Sequence, residues 1–232
     1  PTVEATLAII NKRLAQGYRR IKLKIAPGWD VELARGVRAA LPDVTIMLDA
    51  NSAYTTAVIE HLQQLDEFNL LMLEQPFGDE DIYSHSKLQP VLKTRVCLDE
   101  CIKSDTDLRL AMQIDAGRIL NLKPVRVGGY VESLKIYQTC VENNFPLWIG
   151  GMMEVGVGRA ANVAFGSLPG VNMPSDISAT DRYYNPDVTE PPFVLQEGST
   201  LNVPDGYGIG LEVQLDRLEE MKARWQESNP YV

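Results

Sequence analysis

Five ionisable residues close five apolar runs at a nearly constant interval. Lys24 ends IKLK, Asp49 ends TIMLD, Glu74 ends LLMLE, Asp99 ends VCLD and Lys123 ends ILNLK, at spacings of 25, 25, 25 and 24 residues. Three carboxylates form the oxygen ligand set that a hard divalent ion such as Mg²⁺, or alternatively Mn²⁺, takes up. Gathered without a cation they would repel one another. A single acid at such a position ordinarily caps the following helix. Three in succession, bracketed by lysines, favour a metal site made of Asp49, Glu74 and Asp99. An ammonium beside a divalent ion and a second ammonium binds its proton less tightly, as a general base requires. Lys24 and Lys123 are therefore the expected catalytic pair. The chemistry is removal of a proton alpha to a carboxylate, with the cation stabilising the enediolate. One lysine takes the proton, and the other returns one to the opposite face or supplies charge.

About 25 residues is the length of a strand, a loop, a helix and a return loop, so each interval reads as one βα unit. In a parallel barrel the strand C-termini share the catalytic face. The alternation of IKLKI puts Ile21, Leu23 and Ile25 on one face and Lys22 and Lys24 on the inner one. The fold class predicted is α/β, a TIM-like barrel over residues 1–185, with a C-terminal segment over 186–232 that packs back toward it. Helices are expected at Thr2–Gln16, Val31–Leu41, Thr56–Leu65, Asp105–Met112, the GGYVESLKIYQTCVENN stretch, Arg159–Gly166 and Leu215–Trp225. A polar stretch leads through Leu88–Leu92 to the Asp99 strand, Leu70–Leu73 and PLWIGG read as strands, and Val171–Met173 as the last barrel strand. Phe193–Val213 reads as hairpin-like. This gives seven strands rather than eight, and an open wall leaves an unpaired edge. The expectation is a barrel lacking its first strand.

A net charge of −9 and a pI near 4.8 argue against nucleic acid and anionic membranes as partners. No apolar run approaches the ~18 residues of a membrane span. Cys97, Cys101 and Cys140 cannot all pair and are expected as buried free thiols in a cytoplasmic protein. His61 and His85, the two histidines, read as surface residues without metal-ligand neighbours.

The motifs IKLKIAPGWD, LDANSAY, LEQPF, LDE, NLKPVRVGG, WIGGMMEVGVGRAAN and PSDISATDRYY cover nearly the whole chain. Together they resemble the barrel domain of the enolase superfamily, muconate-lactonizing subgroup, within it the o-succinylbenzoate synthase / N-acylamino acid racemase family. The resemblance implies the same lysine pair and Mg²⁺ ligands, and substrate contacts from Lys22, Asn51, Met152 and Met153. Arg126 resembles the arginine of the racemase-containing branch, and reads equally as a helix-start residue at the barrel rim. Glu100 and Glu154 are candidates for orienting the ligands and bases. The implied activity is a carbon–oxygen lyase of menaquinone biosynthesis and an N-acylamino acid racemase, acting on a small carboxylate substrate in a homo-oligomer. Dipeptide epimerase or muconate cycloisomerase is the alternative, and Asp176 without a D-x-D partner weighs against the epimerase. Family members carry an N-terminal capping domain that selects the substrate, so a non-catalytic barrel fragment needing that capping segment is the alternative of another class.

Overall fold

The computed structural model describes residues 2–228, and the chain divides into two compact units, Pro1–Trp148 and Ile149–Val232. The first is built from α1 (Val3–Ala15), β1 (Arg20–Lys24), α2 (Val31–Ala40), β2 (Thr45–Asp49), α3 (Ile59–Leu62), β3 (Leu73–Glu74), α4 (Ile82–Leu88), β4 (Val96–Leu98), α5 (Asp105–Gln113), β5 (Ile119–Leu122) and α6 (Tyr130–Glu142). β6 (Leu147–Ile149) completes a six-stranded sheet in the order β1-β2-β3-β4-β5-β6. The pairs from β1 to β5 are parallel, with Lys24 in register with Asp49 and Asp49 with Glu74. Ile46, Met47 and Leu48 on β2, and all of β5, are buried, as strands covered on both faces must be.

Local chemistry sets the helix starts. The Thr2 hydroxyl accepts the Ala5 N–H at 3.2 Å to open α1, and Gly17, at φ 98°, lets the chain turn away after it. The Ser104 Oγ accepts the Asp107 N–H, while Asp107 Oδ2 takes the Lys103 N–H and the Ser104 hydroxyl, closing a reciprocal cap on α5.

Several expectations change. Thr56–Leu65 is not one helix: a 3₁₀ turn, the four residues of α3 and a second 3₁₀ stretch, Gln63–Phe68, replace it. Leu62, Leu65 and Phe68 are buried at intervals of three, which is the 3₁₀ period rather than 3.6. The polar stretch before β4 holds α4, started by Asp81 Oδ1 accepting the Ser84 N–H at 2.9 Å. His85 and Leu88 form its buried face, so His85 is a core residue and not a surface one. Its Nδ1 lies 2.7 Å from the Asp81 carbonyl and its Nε2 accepts the Phe77 N–H, which fixes a neutral tautomer. Of Leu70–Leu73, only Leu73 joins a strand.

Val171–Met173 forms no strand. Pro174 has no N–H to donate, and the Ile149 N–H is taken by the Ser175 hydroxyl at 3.1 Å instead of by a backbone carbonyl. The second unit holds α7 (Gly156–Gly166), a two-residue antiparallel pair β7 (Thr189–Glu190) and β8 (Glu212–Val213), and α8 (Leu215–Ser228). Within the expected hairpin region, Gln196 bridges Thr200 around a turn at Gly198, β8 closes the region by pairing with β7, and the stretch between is irregular. Pro204 and the positive-φ Gly208 and Gly210 interrupt any longer ladder. The three cysteines are free and buried, as expected. Among the described residues no helix is long and apolar enough to cross a membrane.

Candidate active site

The parallel register carries the side chains to one end of the sheet in an orderly row: Lys24 on β1, Asp49 on β2, Glu74 on β3, Asp99 just past β4 and Lys123 just past β5. Asp49, Glu74 and Asp99 retain 1%, 0% and 1% of their exposure. Such burial of three carboxylates requires positive charge beside them. Lys24 Nζ lies 2.7 Å from Asp49 Oδ2, and Lys22 Nζ lies 3.2 Å from both Asp49 Oδ2 and Glu74 Oε2. Lys123 Nζ donates to Asp99 Oδ2 at 2.6 Å, and Arg126 Nη1 to Asp99 Oδ1. Burial raises the Asp49 carboxyl, but the charges of Lys22 and Lys24 outweigh it and hold the group below the usual carboxylate range.

The two end lysines differ in their access to water. The Lys24 side chain is 63% exposed, the Lys123 side chain 8%. Lys22 also lies 5.3 Å from the centroid of the buried Trp148 ring, a cation–π contact.

Among the described residues, no three acidic, histidine or cysteine side chains stand close enough together to hold an ion as they are placed. The donor set nonetheless suits one: three buried carboxylates whose charge is met by ammonium and guanidinium groups present the hard oxygen ligands a divalent cation prefers. Lys22 and Lys24 occupy the places on Asp49 and Glu74 that such a cation would compete for.

Asn51, at φ 40°, accepts from Lys24 through Oδ1, gives its backbone N–H to Asp49 Oδ1 at 3.1 Å and donates from Nδ2 to Glu100 Oε1 at 2.8 Å. It therefore touches a candidate base, a candidate ligand and Glu100 together. Burial pushes the Glu100 carboxyl up, and the neighbouring Asp99 charge adds to that. Arg126 reaches Asp99 rather than standing free as a helix start. Met152, Met153 and Glu154 belong to the second unit. Both methionines are exposed there, while Glu154 takes the Met152 N–H and the Asn162 amide and so organises its own loop.

Two site residues escaped the sequence reading. Asn121 Nδ2 donates to Glu74 Oε1 at 2.6 Å. Its signal was an amide inside the apolar run ILNLK, two positions before Lys123 and so on the same strand face. Gln75 is fully buried beside Glu74, and nothing in LEQPF distinguished it from a turn residue.

The enolase C-terminal domain-like family matches residues 5–217 of this chain. The o-succinylbenzoate synthase of Geobacillus kaustophilus is 48% identical over 94% of this chain and 58% of its own length. The N-succinylamino acid racemase of Thermus thermophilus is 44% identical over 97% of this chain and 61% of its own. A solved structure of an enolase-superfamily member from Listeria innocua superposes with a TM-score of 0.90 at 43% identity, covering 94% of this chain and 59% of that one. The chain thus spans about three-fifths of the length of the relatives it matches.

Proposed function

Because this chain belongs to the enolase C-terminal domain-like family, we propose that it carries the proton-transfer site of an o-succinylbenzoate synthase that also racemises N-succinylamino acids. The observation that carries this reading is the row of three buried carboxylates at the ends of neighbouring strands with a lysine at each end. The relatives support the substrate class: one is a racemase of N-succinylamino acids, which carry an alpha proton beside a carboxylate, and the other is a synthase named for a carboxylate product.

Asp49, Glu74 and Asp99 would hold Mg²⁺ or Mn²⁺. When bound, the cation supplies positive charge to the substrate carboxylate and lowers the cost of forming the enediolate. Lys24 and Lys123, at opposite ends of the row, act on opposite faces of the alpha carbon. One takes the alpha proton. In racemisation the other returns a proton from the far side. In dehydration the lysine that took the alpha proton passes it to the hydroxyl leaving the neighbouring carbon, so that water departs, and the second lysine acts as positive charge near the anion. Lys22 and Asn51 hold the ligands and the Lys24 ammonium in place, and Arg126 shares Asp99 with Lys123. Substrate contacts by Met152 and Met153 complete the proposal.

The test is alpha-proton exchange of N-succinyl-phenylalanine in D₂O, followed by NMR with excess Mg²⁺. It is run for the chain alone and for the chain joined to the remaining portion of a relative. Deuterium incorporation that EDTA abolishes, and that Lys24→Ala and Lys123→Ala each remove, is the expected result. Absence of exchange in the joined protein, with dehydration intact, would withdraw the racemase half.

A further inference from the structure

We propose that Gln75 is the positioning residue that fixes Asp99 relative to Glu74, by lending its side-chain carbonyl to a ladder its main chain has left. The proposal rests on the reading of Glu74 and Asp99 as cation ligands. β3 and β4 pair in parallel, with the Leu73 N–H on the Arg95 carbonyl at 3.0 Å and the Gln75 N–H on the Cys97 carbonyl at 2.9 Å. The next bond of a parallel ladder would take the Asp99 N–H to the Gln75 main-chain carbonyl. Gln75, however, stands at φ 38°, and its carbonyl accepts the Ser52 N–H from the β2 side at 2.8 Å.

The side chain replaces the missing acceptor. Gln75 Oε1 takes the Asp99 N–H at 2.9 Å and the Cys101 N–H at 3.4 Å. Gln75 Nε2 donates to the Phe77 carbonyl at 2.9 Å and the Gly78 carbonyl at 3.3 Å. The residue is 0% exposed, and its main chain and amide join the loops after β2, β3 and β4. A left-handed backbone favours glycine, but glycine would supply none of these four bonds. One amide thus sets how the Asp99 carboxylate is offered beside Glu74.

Gln75→Met removes the acceptor and the donor, whereas Gln75→Glu keeps the acceptor. Hydrogen exchange of the Asp99 and Cys101 amides and Mn²⁺ affinity, read by electron paramagnetic resonance, are measured on the full chain. In Gln75→Met both amides exchange at least about tenfold faster and Mn²⁺ binds about 10–100-fold more weakly. In Gln75→Glu the two amides stay protected. Unchanged exchange, or unchanged Mn²⁺ affinity, in a folded Gln75→Met protein would overturn the proposal. Should Gln75→Met not fold, protection of Asp99 and Cys101 in Gln75→Glu upholds it and loss of protection overturns it. If the unaltered chain binds no Mn²⁺, the cation reading falls, and the exchange data alone decide the role of Gln75.

Discussion

Asn121 on β5 reaches Glu74 on β3 across the strand between them, with Nδ2 2.6 Å from Oε1. Cys97, the β4 residue in register with Glu74, is small enough to leave that span open. Burial and the charge of Glu74 both push the Cys97 thiol well up, so it stays neutral beside the acid. Replacing Asn121 by Leu removes a charge-assisted bond from a buried carboxylate, which costs about 2 kcal/mol. Urea denaturation should show the midpoint falling with the slope unchanged.

Lys22 stands between Asp49 and Glu74 as their shared counter-charge. Lys22→Met should destabilise the metal-free protein by about 3 kcal/mol, because it strips a partner from two buried acids. The same change should make Mg²⁺ more stabilising than in the unaltered protein, since the cation then meets no competing ammonium. Thermal melts with and without Mg²⁺ measure both effects. A variant that Mg²⁺ stabilises less than the original would show that Lys22 assists the cation instead.

His85 is buried, and desolvation pushes its imidazole below the ordinary value of 6.5 despite the Asp81 carbonyl and charge. A group whose folded value is depressed binds its proton better when unfolded, so stability rises with pH through that window. The contribution of His85 is complete above pH 6.5 and declines as the pH falls from there toward its lower folded value. His85→Gln should flatten the dependence of the melting temperature on pH below 6.5, at some cost in stability at pH 8.

Gly156 opens α7 against β7. A Cβ there would lie 1.7 Å from Thr189 Oγ1 and 2.9 Å from its Cβ, and Thr189 is fully buried. Gly156→Ala should therefore cost about 3 kcal/mol through overpacking. Because Thr189 is the obstacle, Thr189→Gly in the same protein should recover much of the loss. A double-mutant cycle on chemical denaturation gives the coupling energy.

What the sequence determined by itself is local and periodic. The interval of about 25 residues placed Lys24, Asp49, Glu74, Asp99 and Lys123 at strand ends, and the parallel register brought them into one row. Caps at Thr2 and Ser104 were written in their own residue types. Tertiary structure decided whatever depends on partners distant in sequence. His85 is apolar in effect only because Phe77 and Asp81 satisfy both ring nitrogens, so its polarity concealed the buried face of α4. The 3₁₀ stretch before β3 was decided by which of Leu62, Leu65 and Phe68 could be buried together. Val171–Met173 had the residues of a strand, yet it joins none, and beside it the Ile149 N–H goes to the Ser175 hydroxyl. Asn121 and Gln75 carry no signature in isolation. Their roles exist because a carboxylate 47 residues away and an amide 24 residues away lie within hydrogen-bond reach, and only the folded chain sets those distances.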